Sequence, residues 1–221
     1  MSLNVTLIES TSPAFPTALQ TGTFIPPVAQ LWAIGNLDIL KTPLLGLFCS
    51  TRCPGNVILR TYDLALALRE AEVPIISGFH TPMEKECLDV FLRGTQPIVL
   101  CPARDIQRLR LPAAWRKPLA AGRLLIVSAI AAAQRRPTAT LAEQRNRFVA
   151  TLAQTICVTH AAPGSRTERL CAELVAQGKR LYTLGLAENT HLVQCGVVSS
   201  SIPGLIEHMH HPISKAYIAP R

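Results

Sequence analysis

Two neighbouring stretches hold side chains that together suit a phosphate. Leu141-Ala142-Glu143-Gln144-Arg145-Asn146-Arg147-Phe148-Val149-Ala150 sets two arginines and an asparagine on one helix. After an apolar strand comes Ala161-Ala162-Pro163-Gly164-Ser165-Arg166-Thr167-Glu168, a tight Pro-Gly turn that opens another helix. Free backbone N–H groups at a helix start, flanked by Arg side chains, give an α/β sheet an anion-binding edge. The ligand expected there carries phosphate, as part of a nucleic acid or of a small nucleotide. Pro163, Gly164, Ser165, Thr167 and Glu168 are its candidate contacts on the turn, with Thr167 and Glu168 close to any bound ribose-phosphate.

Residues two apart on a helix point in different directions, so Arg145 and Arg147 cannot share one role. Arg145 with Asn146 is expected to face the groove. Arg147, which abuts the apolar Phe148-Val149, is expected to be a buried structural tie.

Other expected strand ends carry similar chemistry. Cys49-Ser50-Thr51-Arg52-Cys53-Pro54-Gly55 can place Ser50, its N–H group and Arg52 around a phosphate. In Ser77-Gly78-Phe79-His80-Thr81-Pro82-Met83-Glu84, Ser77 and Gly78 allow close backbone approach, and His80 can touch a ligand or move a proton. Arg104 ends a third strand. Taken singly, each is also what an ordinary strand-to-helix turn looks like. Glu84 and Glu86 are accounted for by the helix dipole.

Charge favours a polyanion. The net charge is +8. Arg104, Arg108, Arg110, Arg116, Lys117, Arg123, Arg135, Arg136, Arg145 and Arg147 are opposed within their section only by Asp105 and Glu143, so this section carries the whole excess. Such a belt is an electrostatic footprint for a polyanion, or a solvated face that keeps the chain dispersed.

The elements that must hold these residues alternate along the chain. Short apolar runs at 44–49, 73–77, 97–101, 123–128, 155–160 and 180–184 read as buried strands. Helical spacing at 55–71, 82–92, 140–152, 164–177 and 189–194, with a short helix around Trp115, fills the gaps. Thr140 with Glu143 fits a capping box. The pattern predicts an α/β fold: a three-layer, Rossmann-like, mostly parallel sheet with helices on both faces. Residues 1–40 are expected to be an irregular arm with one short helix around 28–32, 41–197 the core, and 198–221 a flexible tail. The strand at 178–184 is expected near the sheet edge, where it favours a homodimer.

Seven cysteines, most of them in apolar segments, read as reduced core thiols of a cytoplasmic protein. The CxxxC spacing of Cys49 and Cys53 could suggest a metal or redox pair, but no second pair is near in sequence. No metal and no cofactor are expected. No run approaches the ~20 apolar residues of a membrane span, and the N-terminus lacks a signal-peptide core, so no membrane contact is expected.

Taken together, Trp32-Ala33-Ile34-Gly35-Asn36, the strand ending Ser50-Thr51-Arg52, Ser77-Gly78, Arg145-Asn146-Arg147-Phe148-Val149-Ala150-Thr151-Leu152 and Arg180-Leu181-Tyr182-Thr183-Leu184 resemble the DprA/Smf family of bacterial DNA-processing proteins. The family pattern runs from W-x-x-G-N through a G-S-R strand end to R-N-R-I-I-A-G-L, and the resemblance covers about residues 30 to 197. It implies an extended Rossmann-like fold, single-stranded DNA binding, dimerisation and a recombinase as partner. This chain departs from the pattern with a threonine inserted before Arg52 and with Phe79-His80-Thr81-Pro82-Met83-Glu84 in place of A-x-G-I-D. The turn at 163–168 instead resembles a shortened form of the P-G-G-x-G-T-x-x-E loop of lysine-decarboxylase-like (LOG) nucleotide hydrolases. No winged-helix domain is expected after Leu184.

Two readings follow. One is a non-enzymatic core that binds single-stranded DNA through a basic phosphate-binding edge. The other is a nucleotide-derivative-binding sensor or a LOG-like hydrolase. Hydrolysis would leave Glu168 working nearly alone, since no paired carboxylates or metal cluster accompany the loop. No catalytic residue is therefore assigned.

Overall fold

A computed structural model describes residues 4–21, 27–131, 134 and 136–210. Arg135 of the basic belt and tail residues 211–221 lie outside the described residues. Among those described, the strands are β1 (Thr6–Glu9), β2 (Gln30–Gly35), β3 (Leu45–Cys49), β4 (Ile75–Ser77), β5 (Ile98–Leu100), β6 (Leu124–Ser128), β7 (Thr155–His160), β8 (Leu181–Leu184) and β9 (Val198–Ser200). The helices are α1 (Thr17–Gln20), α2 (Gly55–Glu70), α3 (Pro82–Leu92), α4 (Ala113–Ala120), α5 (Ala139–Leu152), α6 (Arg166–Ala176), α7 (Thr190–Gln194) and α8 (Ile202–His210). None is long and apolar enough to cross a membrane.

The strands form one sheet in the order β1-β2-β6-β5-β4-β3-β7-β8-β9. β1 pairs with β2 and β2 with β6 antiparallel, and the remaining neighbours are parallel. Side chains alternate between two cores with the two-residue period of a strand. Phe48, Ile76, Val99 and Val158 pack with α1, α5, α6 and α7, while Leu47, Ile75, Ile98 and Cys157 pack with α2, α3, α4 and α8. The result is the three-layer, mostly parallel, Rossmann-like architecture that the apolar runs predict.

The chain steps outward from β3 through β4 and β5 to β6, then returns to lay β7 on the other side of β3. That reversal opens a crevice at the C-terminal ends of β3 and β7, where open α/β sheets hold ligands. A register shift between Phe48 and Cys49 loosens the β3–β7 ladder at that spot.

Three expectations are corrected. The arm is not irregular: β1 and β2 extend the sheet, and 28–32 runs into a strand rather than a helix. Pairing with β6 supplies what the proline-broken local pattern does not. Nor is 198–210 a loose tail, since β9 pairs with β8 and Leu205 and Met209 of α8 are buried. The strand ending at Leu184 does lie near the edge, second from it, with β9 outside it. Finally, α5 is capped by Thr138, whose hydroxyl accepts from the N–H of Leu141, rather than by Thr140.

Candidate phosphate-binding site

A cavity of about 710 Å³ fills the crevice. The exit of β3 contributes Cys49, Ser50, Thr51 and Arg52, and the turn into α3 contributes His80, Thr81 and Glu84. The start and middle of α5 supply Thr138, Arg145 and Asn146; the turn into α6 supplies Ala162, Ser165, Arg166 and Thr167. Of the residues singled out by sequence, Ser50, Arg52, His80, Arg145, Asn146, Ser165 and Thr167 are thus brought together.

The two halves of the crevice are stitched at Ser50. Its N–H donates to the carbonyl of His160 at 2.9 Å, and its Oγ accepts from the N–H of Ala162 at 3.0 Å and lies 3.4 Å from Ser165 Oγ. Ser165 caps α6 by accepting from the N–H of Glu168 at 3.1 Å. The first-turn N–H groups of Arg166 and Thr167 have no intrahelical partner, so they and the two serine hydroxyls form a donor-rich corner that suits an oxyanion.

Glu84 braces the opposite wall. Its carboxylate accepts from the N–H groups of Cys49 at 3.1 Å, His80 at 2.9 Å and Thr81 at 3.3 Å. Thr81 accepts in return from the Glu84 N–H at 3.3 Å, completing a capping box. One buried carboxylate thereby ties the end of β3 to the start of α3. Beside it lies Arg145, whose Nη1 donates to the Cys101 carbonyl at 3.1 Å and whose Nε donates to Asn146 Oδ1 at 2.7 Å. Burial pushes the Arg145 pKa down, and the negative charge of Glu84 opposes that push. Arg145 also lines a smaller cavity of about 220 Å³ on its other side, with Trp32, Val127 and Phe148.

Arg145 and Asn146 border the crevice as expected, but the buried tie expected of Arg147 falls to Arg145 as well. Arg147 lies on the surface and donates from Nε and Nη2 to the two carboxylate oxygens of Glu173, each at 3.0 Å. The reason is helical spacing: Arg145 shares the inward face with Phe148 and Val149, three and four residues on. Adjacency in sequence, which favoured Arg147, is the wrong guide.

The Pro-Gly turn also differs from expectation. The Gly164 N–H is not free but donates to Glu168 Oε2 at 2.6 Å. Glu168 Oε1 lies 3.6 Å from His191 Nε2. Pro163, Gly164 and Glu168 stand outside the lining of the crevice, and Glu168 closes the turn on itself. Ser77 is buried beneath the site: its hydroxyl donates to the Leu47 carbonyl at 2.7 Å and accepts from the Phe79 N–H at 3.3 Å. This supports left-handed backbone at Phe79, with φ 45°, a conformation bulky residues avoid. Gly78 lies against the guanidinium of Arg145. Arg104 is not in the crevice lining; its carbonyl accepts from Ser128 Oγ at 2.9 Å.

His80 titrates below its usual 6.5, chiefly through burial and then through the charge of Arg145. Sequence reading left Cys49, Thr81, Thr138 and Arg166 out of the site and gave Glu84 only a dipole role. The T-x-x-E spacing of Thr81 and Glu84 is a capping-box signature that could have located the brace. The basic belt is divided in use. Arg123 donates to the carbonyls of Phe91 and Leu92, whereas Arg108, Arg110, Arg116 and Lys117 are exposed. Among the described residues no group of three or more His, Cys, Asp or Glu is placed to hold a metal ion.

The family model described as DNA recombination-mediator protein A matches residues 6–194. No curated protein matches the chain in sequence. Among solved structures, DNA processing protein A from Streptococcus pneumoniae is similar with a TM-score of 0.76 and 18% identity, over 92% of this chain and 74% of that one. DNA processing protein A from Helicobacter pylori, whose structure is described for its single-stranded DNA binding mode, gives 0.76 and 18% over 95% and 97%. The molybdenum cofactor binding protein of Rippkaea orientalis shares the fold more distantly, with a TM-score of 0.54 and 11% identity over 78% and 98%.

Proposed function

The chain belongs to the DNA recombination-mediator protein A family, and from that premise we propose that it binds single-stranded DNA in the crevice between β3 and β7 without catalysing a reaction. The observation that carries this reading is the convergence of Ser50, Ser165, Thr167 and the start of α6 with Arg52 and Arg166 around one cavity. Hydroxyls and N–H groups position a phosphate, and the arginines add charge-assisted bonds. Contacts of this kind read the backbone and ignore the bases, so little sequence preference is expected. Against hydrolysis, Glu84 and Glu168 both spend their carboxylates on backbone N–H groups. Family membership is the support for a homodimer that works with a recombinase; the free cysteines support a reducing, cytoplasmic setting.

A second reading, a small nucleotide in place of DNA, is favoured by size alone: about 710 Å³ lies within the range of small-molecule sites. An oligonucleotide titration across salt concentrations, run beside thermal shifts with mononucleotides, separates the two. Expected is an association constant that falls steeply with salt. Salt-independent binding would sink the DNA reading. A melting temperature raised by a mononucleotide, without oligonucleotide binding, would establish the second.

A further inference from the structure

Cys49 and Cys53 bracket residues 50–52 of the crevice wall, and their sulfurs lie 3.8 Å apart, the Cys49 thiol donating to the Cys53 sulfur. Cys49 is buried at the end of β3, while Cys53 is half-buried just before α2. The other thiols differ: Cys87, Cys101, Cys157 and Cys171 are buried, and Cys195 is exposed. We propose that Cys49 and Cys53 are a redox-active dithiol, closed to a disulfide by a hydroperoxide, and that closure displaces residues 51–53 and weakens anion binding in the crevice.

The chemistry balances within the pair. The Cys53 thiolate attacks the terminal peroxide oxygen, the O–O bond breaks, and Cys53 becomes a sulfenic acid as the alkoxide leaves and takes up a proton to become the alcohol. Cys49 then displaces that hydroxyl, forming the S–S bond and releasing water. Two thiols give up two electrons, and one hydroperoxide is reduced. With hydrogen peroxide the second product is also water. The environment divides the roles accordingly. The hydrogen bond from Cys49 holds the Cys53 thiol below its usual pKa, favouring the attacking thiolate, while that same bond and burial keep Cys49 protonated until it resolves the intermediate. Burial pushes Cys101, Cys157 and Cys171 each up to about 12, which removes them as nucleophiles.

Closure has a geometric consequence. A disulfide requires the sulfurs to approach to about 2.05 Å. Cys49 is anchored by its N–H bond to Glu84 and Ser50 by its N–H bond to His160, so the movement falls on Thr51, Arg52 and Cys53. Arg52, exposed at the rim, is carried away from the donor-rich corner at Ser165.

The test uses the full chain carrying Cys195→Ser, which removes the exposed thiol. The chain is treated with hydrogen peroxide, alkylated and digested. Trypsin cuts after Lys41, Arg52 and Arg60, so peptides 42–52 and 53–60 stay joined only through this disulfide. Expected is the joined pair, reversed by a dithiol reductant and abolished by Cys53→Ser. Both cysteines remaining open to alkylation, or Cys53 advancing to sulfinic acid without a cross-link, would overturn the proposal. The effect on binding rests on the DNA reading: oligonucleotide affinity is expected to drop about tenfold on oxidation, one lost phosphate contact, and not in Cys53→Ser. A cross-link with unchanged affinity would overturn the coupling to the crevice. Failure of the reduced chain to bind at all would refute the DNA reading, while the cross-link still decides the thiol chemistry.

Discussion

A Cβ on Gly78 would lie 1.4 Å from Nη1 of Arg145 and 1.9 Å from its Cζ. The guanidinium therefore occupies the place of the side chain that Gly78 lacks, and this close approach lets an arginine from α5 reach the Cys101 carbonyl beneath the crevice. Gly78→Ala should expel the guanidinium and leave Glu84 without its compensating charge, at a cost of about 2–4 kcal/mol. In an Arg145→Ala background the obstruction is gone, and the same alanine should cost less than about 1 kcal/mol. Urea unfolding of the four proteins in the cycle measures the coupling; additive effects would show that the contact carries no energy.

The two arginines of α5 should separate by mechanism. Arg145→Ala removes a buried charge that faces Glu84 and should destabilise by about 2–4 kcal/mol, with Arg145→Lys unable to restore the planar fork. Arg147→Ala breaks only a surface pair with Glu173 and should cost about 1 kcal/mol or less. Denaturant midpoints check the order. A larger loss at Arg147 would restore the assignment made from its apolar neighbours.

The core was legible because its strands are buried on both faces and so read as apolar runs, and because glycine or proline marks their ends. Ser50, Arg52, Ser165 and Thr167 were legible for a related reason: strand exits are the polar points of an apolar series. What escaped depended on contacts far apart in sequence. The β2 strand exists through its pairing with β6, and β9 through β8, so neither announces itself locally. The inward turn of Arg145 follows from the face it shares with Phe148 and Val149. Glu84 looked like a dipole residue until the fold carried the Cys49 N–H to it.

Arg52 and Arg166 are the exposed cations of the crevice rim. Arg166 is also paired with Glu143 at 2.8 Å, a surface contact that a phosphate can outcompete. Arg52→Ala and Arg166→Ala should each weaken oligonucleotide binding alike across sequences and reduce the slope of log K against log salt by about 1. Thermal unfolding should scarcely change. Unaltered slopes in both variants would place the phosphate elsewhere.

His80 should couple binding to pH. Its folded pKa lies below the usual 6.5 because burial and Arg145 disfavour the imidazolium, with Glu84 acting the other way and Lys85 adding to the depression. Between the folded and unfolded pKa values the unfolded chain binds more protons, so stability rises with pH there. The His80 contribution is thus complete above the unfolded value and lost as pH falls through the folded one. A phosphate in the crevice reverses the local field, raises the His80 pKa and draws in a proton on binding. Oligonucleotide affinity should therefore increase as pH is lowered from about 7.5 to about 6, the range in which histidine titrates. His80→Gln should flatten that dependence and leave affinity at the higher pH nearly unchanged. Titrations at matched ionic strength decide it: a pH dependence surviving in His80→Gln would mean that the proton is taken up by another group.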